Sequence, residues 1–158
     1  MTIYLGADHA GFALKEKIKE WLQGEGHAVQ DLGAYTLDPL DDYPDFAAAV
    51  AQEVAQNPKS RGILFCGSAE GVCIAANKIA GIRAVSPTNV EGARLSRIDD
   101  DANILCLPGG QMKIPVPELA FSLEKAKKLI TLWLLTPFSG EERHVRRLRK
   151  IEELETRK

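Results

Sequence analysis

Short apolar runs alternate with helical periodicity along the chain, and this alternation constrains the fold more than any other feature. The runs that indicate strands are TIYLGAD, HAVQDLG, GILFCG, IRAVSP and ANILCLPGG. After the first run, Leu14, Ile18 and Leu22 recur four residues apart with Trp21 beside them, which predicts one buried helix face. Parallel strands need long crossover connections, usually helices. The pattern therefore predicts an α/β fold: an open, doubly wound, five-stranded parallel sheet with helices on both sides.

The other helices are predicted from their start and stop signals. Pro44 fits a helix start and Asn57-Pro58 a helix stop. A long helix is expected from Pro117 to about Leu135, and a charged C-terminal helix over about residues 140–157. The apolar stripe of this tail helix is formed by Val145, Leu148, Ile151 and Leu154. Such a stripe needs a covering surface, and the pattern leaves open whether its own domain or a neighbouring subunit supplies it.

Composition excludes several classes of protein. A net charge of −2 gives no general attraction to nucleic acid or to an anionic membrane. No apolar run approaches the roughly 18–20 residues that span a bilayer, and MTIYLGADHAG is unlike a signal peptide. The 3 cysteines fit neither a disulfide framework nor a metal knuckle, so we expect a reducing, cytoplasmic setting. With 158 residues and no repeat or linker, residues 1–158 should form one domain.

The third predicted strand ends in a thiol, and a turn of small residues follows it. Ligands of open α/β sheets bind beyond the carboxyl ends of the strands. The turn FCGSAEG, at 65–71, can direct several backbone N–H groups at one point and hold an anion. It is not a Walker A loop, because no Gly-Lys-Ser/Thr follows. A thiol there, Cys66, should have a lowered pKa; the alternative is a small buried strand residue, as expected for Cys73 and Cys106.

Polar groups flank other predicted strands as well. Asp8 and His9 follow the first strand, where they form an acid/base pair or where Asp8 caps the first helix. Three acidic residues, Asp99–Asp101, precede the fifth strand, and we expect them at the same ligand-binding edge as the other polar groups. Arg143 and Arg147 lie four apart on the tail helix. Either their two guanidinium groups bind one phosphate, or they belong to a solvent-exposed charged face of the helix.

Motifs spread over nearly the full length occur in the order and spacing of one known family. They are GADHAG at 6–11, DYP at 42–44, GILFCGS at 62–68, IAANK at 74–78, GIRA at 81–84, LSR at 95–97 and RHxxR at 143–147. On these motifs the chain resembles the type B ribose-5-phosphate isomerases and the related galactose-6-phosphate isomerase subunits. The resemblance implies a Rossmann-like fold and an aldose–ketose isomerase that needs no metal or cofactor. It also implies a homodimer or tetramer with shared active sites, in which the tail helix packs on a partner.

The implied reaction moves a proton between C2 and C1 of a phosphorylated sugar through an enediolate. The resemblance makes Cys66 the base, Ser68 a hydroxyl that bonds near it, and Asp8 a group that binds the sugar and helps to open its ring. It assigns phosphate contacts to His9, Arg143 and Arg147, a pocket lining to Tyr43, and an anion hole to the backbone of Gly67–Gly71. The full set of expected substrate-binding residues is His9, Tyr43, Gly67, Ala69, Glu70, Gly71, Asp100, Arg143 and Arg147.

The chain departs from the family pattern at positions that matter for substrate choice. The family commonly has His-Asn where this chain has Asp99-Asp100, and that His opens the furanose ring. Either Asp99 takes over ring opening, or the substrate needs none, as with a tetrose phosphate. A phosphate-binding Arg is missing after the fifth strand, with Lys113 as a substitute. Ala69-Glu70 replaces Gly and an uncharged residue, so Glu70 is an alternative base or a charge that suits a helix start.

Three functions are therefore compared. The leading interpretation is the interconversion of ribose 5-phosphate and ribulose 5-phosphate. The second is the same chemistry on another phosphorylated sugar, such as galactose 6-phosphate or a tetrose phosphate. The third is a non-catalytic subunit that binds a sugar phosphate. Cys66 favours an enzyme, whereas Asp99 and the missing Arg favour the other two.

Overall fold

The computed structural model describes residues 1–110 and 120–156. In chain order its elements are β1 (Thr2–Ala7), α1 (Phe12–Gly24), β2 (Ala28–Asp31), α2 (Tyr43–Gln56), β3 (Arg61–Cys66), α3 (Glu70–Ala76), β4 (Ala84–Val85), α4 (Val90–Ile98), β5 (Ile104–Pro108), α5 (Leu123–Leu135) and α6 (Glu142–Glu155). The strands form one parallel sheet in the order β2-β1-β3-β5-β4. The expected doubly wound α/β fold is confirmed.

The sheet is buried on both faces because its strands carry apolar side chains in both directions. On one face Ile63 and Phe65 pack with α1, α4 and α5, around the fully buried Trp133. On the other face Leu64 and Cys66 pack with α2 and α3. Alternate residues of β3 thus enter opposite cores, as the two-residue period of a strand requires.

The crevice that can hold a ligand follows from the strand order. β1 has β2 on one side and β3 on the other, so the connections that leave β1 and β3 run to opposite sides of the sheet. The connections therefore diverge at this switch point and leave a crevice outside the carboxyl ends of the two strands. Asp8 follows β1, and Cys66 ends β3. A backbone bond from the Asp8 N–H to the Phe65 carbonyl, 3.3 Å, joins the two ends.

Some predicted boundaries are wrong. α5 begins at Leu123 and not at Pro117, because Ser122 caps it by accepting the Lys125 N–H at 3.2 Å. The N–H of Phe121 instead bonds the carbonyl of Pro108 at the end of β5. Residues 117–119 and the expected phosphate contact Lys113 lie outside the described residues. β4 is shorter than expected, with 2 residues.

The position of the acidic turn also differs from its predicted place. α4 runs back across the sheet and ends at Ile98, and β5 begins at Ile104. Asp99–Asp101 therefore lies at the amino edge of the sheet, opposite the crevice. The prediction that it joins the polar groups at the carboxyl edge is wrong, because the turn precedes β5 and does not follow it. In the described part of the chain, no helix is both long and apolar enough to cross a membrane.

Candidate active site

A cleft of about 240 Å³ opens at the switch point between β1 and β3. It is lined by Asp8, His9, Ala10, Tyr43, Cys66, Gly67, Ser68 and Gly71. The structure thus brings together seven of the residues selected from the sequence, from three separate segments of the chain. Gly11 permits this assembly: a Cβ there would lie 2.5 Å from the carbonyl oxygen of Phe65, so only glycine lets the turn after β1 approach β3.

Cys66 lies at the bottom of the cleft and is 4% exposed. The backbone N–H of Ala69 donates to its Sγ at 3.2 Å. Burial raises the pKa of the Cys66 thiol, and the nearby Asp8 raises it further, although the N–H groups of the following turn oppose both effects. The prediction of a lowered pKa is therefore wrong: the N–H groups are present, but burial and a neighbouring carboxyl outweigh them.

The turn after β3 achieves its shape through an unusual backbone conformation. Ala69 has a φ of 71°, in the left-handed region that residues other than glycine seldom adopt. This conformation begins α3 and turns the Ala69 N–H back toward the sulfur. Ala69 is fully buried, so it contributes its backbone and not its side chain. Its neighbour Glu70 is exposed and is not among the residues that line the cleft.

Asp8 is 6% exposed and has one side-chain bond to the backbone. Its Oδ1 accepts the Gly11 N–H at 2.9 Å, so the carboxyl stabilises the turn before α1 while its side chain lines the cleft. Burial raises the pKa of Asp8, as does the charge of Asp41, while the Gly11 N–H and His9 oppose the rise. Asp8 is not the N-cap of α1, since that position is Gly11, so the capping interpretation is wrong in detail: Asp8 binds the N–H of the N-cap residue from the turn before it.

His9 enters the cleft with its ring held from behind. Its Nδ1 lies 2.7 Å from Oδ1 of Asp41, and its backbone N–H donates to the same oxygen at 3.0 Å. Sequence reasoning missed Asp41, because it belongs to a polar loop and no spacing connects it with residue 9. Tyr43 covers another side of the cleft. Its ring packs on Gly71, where a Cβ would lie 2.8 Å from Cζ of the tyrosine.

Three other predicted site residues, Asp99, Asp100 and Arg147, lie at the amino edge together with His144, which was not predicted; we call these four residues the amino-edge cluster. Arg143 lies beside His144 in sequence and pairs with Glu141. Nε2 of His144 lies 3.7 Å from Oδ1 of Asp99, and its Nδ1 lies 2.8 Å from the Ser139 hydroxyl. Burial and Asp99 raise the pKa of Asp100, while the charges of His144 and Arg147 oppose the rise. His144 and Arg147 of the RHxxR motif thus face the acidic turn.

The cleft and the amino-edge cluster are separated by the length of a strand. The five residues of β5 span about 16 Å at the usual rise per residue. The chain therefore does not bring Asp99 or the arginines to its own Cys66. The acidic turn is also tied to its own edge, since Asp101 pairs with Arg83 at 2.9 Å and with Arg97 at 2.7 Å.

The other two thiols pack with the core, as predicted. Cys106 is fully buried, and Cys73 lies partly buried against the same core with its Sγ 3.4 Å from the Ala84 carbonyl. Within residues 1–110 and 120–156, no group of three or more His, Cys, Asp or Glu side chains is arranged to hold a metal ion.

Together these features define a class: a doubly wound α/β protein with a small polar cleft at its switch point, in which a thiol, a carboxyl and an imidazole converge. Residues 3–151 match the family model described as Ribose/Galactose Isomerase. The chain belongs to this ribose/galactose isomerase family. The resemblance inferred from the short motifs is confirmed.

Relatives cover nearly the whole chain. The probable ribose-5-phosphate isomerase B of Mycoplasma pneumoniae is 43% identical over 149 residues, which are 94% of this chain and 91% of the relative. The structure of ribose-5-phosphate isomerase B from Clostridium thermocellum has a TM-score of 0.88 at 40% identity and covers 98% of this chain and 97% of its own. That of Mycoplasma genitalium, with bound ribulose-5-phosphate, has a TM-score of 0.89 at 37% identity, with coverage of 99% and 97%.

Proposed function

We propose that the chain interconverts ribose 5-phosphate and ribulose 5-phosphate through an enediolate, with Cys66 as the base. The observation that carries the proposal is the placement of the thiol in the cleft, with a backbone N–H at 3.2 Å from its sulfur and Asp8 beside it. The family match and relatives that are ribose-5-phosphate isomerases support the choice of substrate. The chain is accordingly a sugar-phosphate isomerase.

The chemistry needs a base and a place for negative charge. In the aldose-to-ketose direction, the Cys66 thiolate removes the proton from C2, and the electron pair of the C–H bond forms the C1–C2 double bond of the enediolate. Negative charge moves onto O1, and the O2 proton then passes to O1. The thiol returns its proton to C1, so that C2 becomes the ketone. A positioned base contributes about 10²–10⁴-fold to such a step.

Ring opening and phosphate binding fall to the other cleft residues. Burial keeps the pKa of Asp8 raised, so its carboxyl is suited to give or take the proton that opens the sugar ring. His9 lies in the same cleft and is the residue available there for the phosphate. Tyr43 and the backbone of Gly67–Gly71 would enclose the sugar between them. Glu70 is less suited to contact the substrate, because it points to solvent from the start of α3.

The separation of the cleft from the amino-edge cluster supports a shared site in an oligomer. We propose a homodimer, or a tetramer built from it, in which the Asp99–Asp100 turn and the arginines of one subunit complete the cleft of the other. A partner would also cover the apolar residues that α6 exposes, since Ile151 is 43% and Leu154 62% exposed. Three free cysteines agree with a reducing, cytoplasmic setting.

The direct test is a coupled assay with ribose 5-phosphate at neutral pH on the wild type, Cys66→Ala and Cys73→Ala. We expect Cys66→Ala to lose about 10²–10⁴-fold in kcat, because the general base is removed. Cys73→Ala is the matched control, since it removes a thiol that packs with the core on the same side of the sheet. Equal loss in both variants would mean that the thiol of Cys66 has no special role.

The three candidate functions use the same cleft, so a comparison of substrates is needed to distinguish them. Asp99 and Asp100 add negative charge to the cluster that would meet the phosphate or the ring, which favours testing other sugars. A panel of galactose 6-phosphate, a tetrose phosphate and ribose 5-phosphate should show the highest kcat/KM for ribose 5-phosphate. A preference for the tetrose phosphate, which does not need ring opening, would favour the second interpretation. Binding of all three without turnover would favour the non-catalytic subunit.

A further inference from the structure

We propose that Asp41 is the positioning residue of His9: it fixes the imidazole in one tautomer and aims its Nε2 into the cleft at the phosphate of the substrate. Asp41 itself is not among the residues that line the cleft, so it acts through the histidine. The inference deepens the proposed function and rests on it for the identity of the phosphorylated ligand. The geometry that carries it is independent of that identity.

A single carboxylate oxygen holds His9 at two points. Oδ1 of Asp41 accepts the backbone N–H of His9 at 3.0 Å and lies 2.7 Å from the ring Nδ1. Two bonds to one residue fix both the position of its main chain and the direction of its ring. A distance of 2.7 Å is short for N–H···O and is typical of a charge-assisted bond.

The carboxylate has little other structural purpose. The Asp41 side chain is 8% exposed, so its charge is largely removed from water. Its second oxygen, Oδ2, is buried and has no hydrogen-bond partner among the residues that the structure describes. Burying a carboxylate with an unpaired oxygen costs stability, and such a cost is expected where a residue serves function. Within the described chain, the side-chain bonds of Asp41 go to His9 alone.

The bond decides which ring nitrogen faces the ligand. A carboxylate only accepts, so Nδ1 must carry a proton, and the second ring nitrogen, Nε2, is left for the cleft. When the imidazole is protonated, Nε2–H donates to an anion, and Asp41 balances the positive charge from behind. The charged groups that face the imidazole are Asp41 and Asp8.

Asp41→Ala and Asp41→Asn separate orientation from charge. The amide oxygen of Asn can accept both N–H groups of His9, whereas Ala accepts neither. We expect nitrogen NMR of the neutral imidazole to show the Nδ1–H tautomer in the wild type and in Asp41→Asn, and its loss in Asp41→Ala. The chain has 3 histidines, so His9→Asn identifies the signal. Asp38→Asn is the matched control: it removes a charge from the same loop, and Asp38 bonds the Leu40 N–H instead.

Ligand binding is then measured with inorganic phosphate, followed by the His9 signal, and with ribose 5-phosphate in the assay. In Asp41→Ala we expect affinity for phosphate to fall about tenfold and KM to rise about tenfold, with kcat within about threefold of the wild type. In Asp41→Asn the loss should be smaller than in Asp41→Ala, because the amide oxygen can still accept both N–H groups of His9. Asp38→Asn should match the wild type.

The results for Asp41 and for the reaction are distinguishable. A wild type that does not turn over ribose 5-phosphate would overturn the proposed reaction, while the tautomer and the phosphate affinity would still decide the role of Asp41. The inference itself is overturned if the wild type shows the Nε2–H tautomer. It is also overturned if Asp41→Ala keeps its tautomer and its phosphate affinity, or if it lowers kcat without weakening phosphate binding.

Discussion

The Cys66 thiol is subject to two opposing influences. Burial and Asp8 favour the neutral thiol, whereas the N–H groups of the turn favour the thiolate. A base that is held protonated before the substrate binds is protected from oxidation and alkylation, which both need the thiolate. The thiol then becomes reactive only when the environment of the cleft changes. Without substrate, Cys66 is therefore expected as the neutral thiol, which must lose its proton before it can act as the base.

The first prediction concerns the pH dependence of this thiol. Because its pKa is raised above the ordinary value, alkylation of Cys66 by iodoacetamide should be slow at neutral pH and should accelerate as pH rises. Asp8→Asn removes a negative charge that raises this pKa, so its alkylation profile should move to lower pH. Peptide mass spectrometry after timed alkylation follows Cys66 separately from Cys73 and Cys106.

Asp45→Asn is a suitable control for this profile, because Asp45 is an exposed carboxyl in the first turn of α2. Its profile should coincide with that of the wild type. A profile of Asp8→Asn that moves to higher pH, or does not move, would contradict the assigned effect of Asp8. The free-enzyme pH profile of kcat/KM should rise with pH in the same range, since the thiolate is the reactive form.

At the scale of elements, the contact between α2 and α3 shapes the cleft. Gly71→Ala places a Cβ about 2.8 Å from the Tyr43 ring and must displace it. Because alanine is the better helix former by about 1 kcal/mol, α3 itself should not be weakened. We expect KM for ribose 5-phosphate to rise while the free energy of unfolding stays close to that of the wild type. The measurements are steady-state kinetics and urea unfolding.

A double-mutant cycle with Tyr43→Ala tests whether the tyrosine transmits this effect. With the ring removed, Gly71→Ala should have little further effect on KM, because no ring is left to displace. Additive effects of the two substitutions would show that Gly71 acts in another way, for instance through the backbone of the anion-binding turn.

α1 is joined to β2 by a buried charge network, and a further prediction concerns it. Nζ of Lys15 lies 2.7 Å from Oδ2 of Asp31, and the lysine side chain is 0% exposed. Asp31→Asn leaves this ammonium with Glu16 as its remaining partner at 2.7 Å. We expect a loss of about 2 kcal/mol in the free energy of unfolding, below the ~3–5 kcal/mol of a buried charge that loses its only partner. Glu91→Gln, in an exposed pair with Arg94, should have little effect.

The same pair gives a pH dependence of definite sign. Burial raises the pKa of Asp31, but hydrogen bonds from Lys15 and Lys19 outweigh it and hold the pKa below its usual range. The fold therefore favours the carboxylate, and its stabilising contribution is present above the ordinary pKa and lost as pH falls through the lowered one. The difference in unfolding free energy between wild type and Asp31→Asn should shrink in acid. A difference that grows in acid would contradict the assignment.

Features of the fold and the cleft that depend on neighbouring residues could be predicted from the sequence, whereas those that depend on contacts between distant residues could not. The bounds of α2 could be predicted, because Pro44 and Asn57-Pro58 are local start and stop signals, and the helix runs over Tyr43–Gln56. The cleft could be placed from Cys66 and Asp8 since strand ends converge in any parallel sheet. The left-handed backbone conformation of Ala69 could not be predicted, because alanine rarely adopts it and nothing in the sequence signals it. The contact of Asp41 with His9 could not be predicted either, because the two residues lie 32 positions apart in sequence.

At the scale of the whole molecule, the separation of the two groups predicts complementation between inactive subunits. Cys66→Ala lacks the base in its cleft, and Asp99→Ala/Arg147→Ala lacks the amino-edge cluster. If sites are shared, a hybrid dimer contains one intact site, formed by the cleft of the Asp99→Ala/Arg147→Ala subunit and the amino-edge cluster of the Cys66→Ala subunit. Equal mixing with subunit exchange should restore about a quarter of wild-type activity, since half of the dimers are hybrids with one working site of two.

The assay is run after co-refolding, with each variant refolded alone as the control. Activity that stays at the average of the two variants alone would contradict sharing and would place the complete site within one chain. Sedimentation of the mixture verifies that the subunits associate.

The strand order also affects how the nascent chain folds during synthesis. β5 lies between β3 and β4, and among the strands of residues 1–110 and 120–156 β4 pairs with β5 alone. Until residue 108 has left the ribosome, β4 therefore has no strand to join, and β3 exposes an edge that another chain could pair with. β1, β2 and β3 precede β4 and β5 in the chain, so the strands next to Asp8 and Cys66 leave the ribosome first. During synthesis we therefore expect the open edge of β3 to be the part of the unfinished sheet that a chaperone would bind.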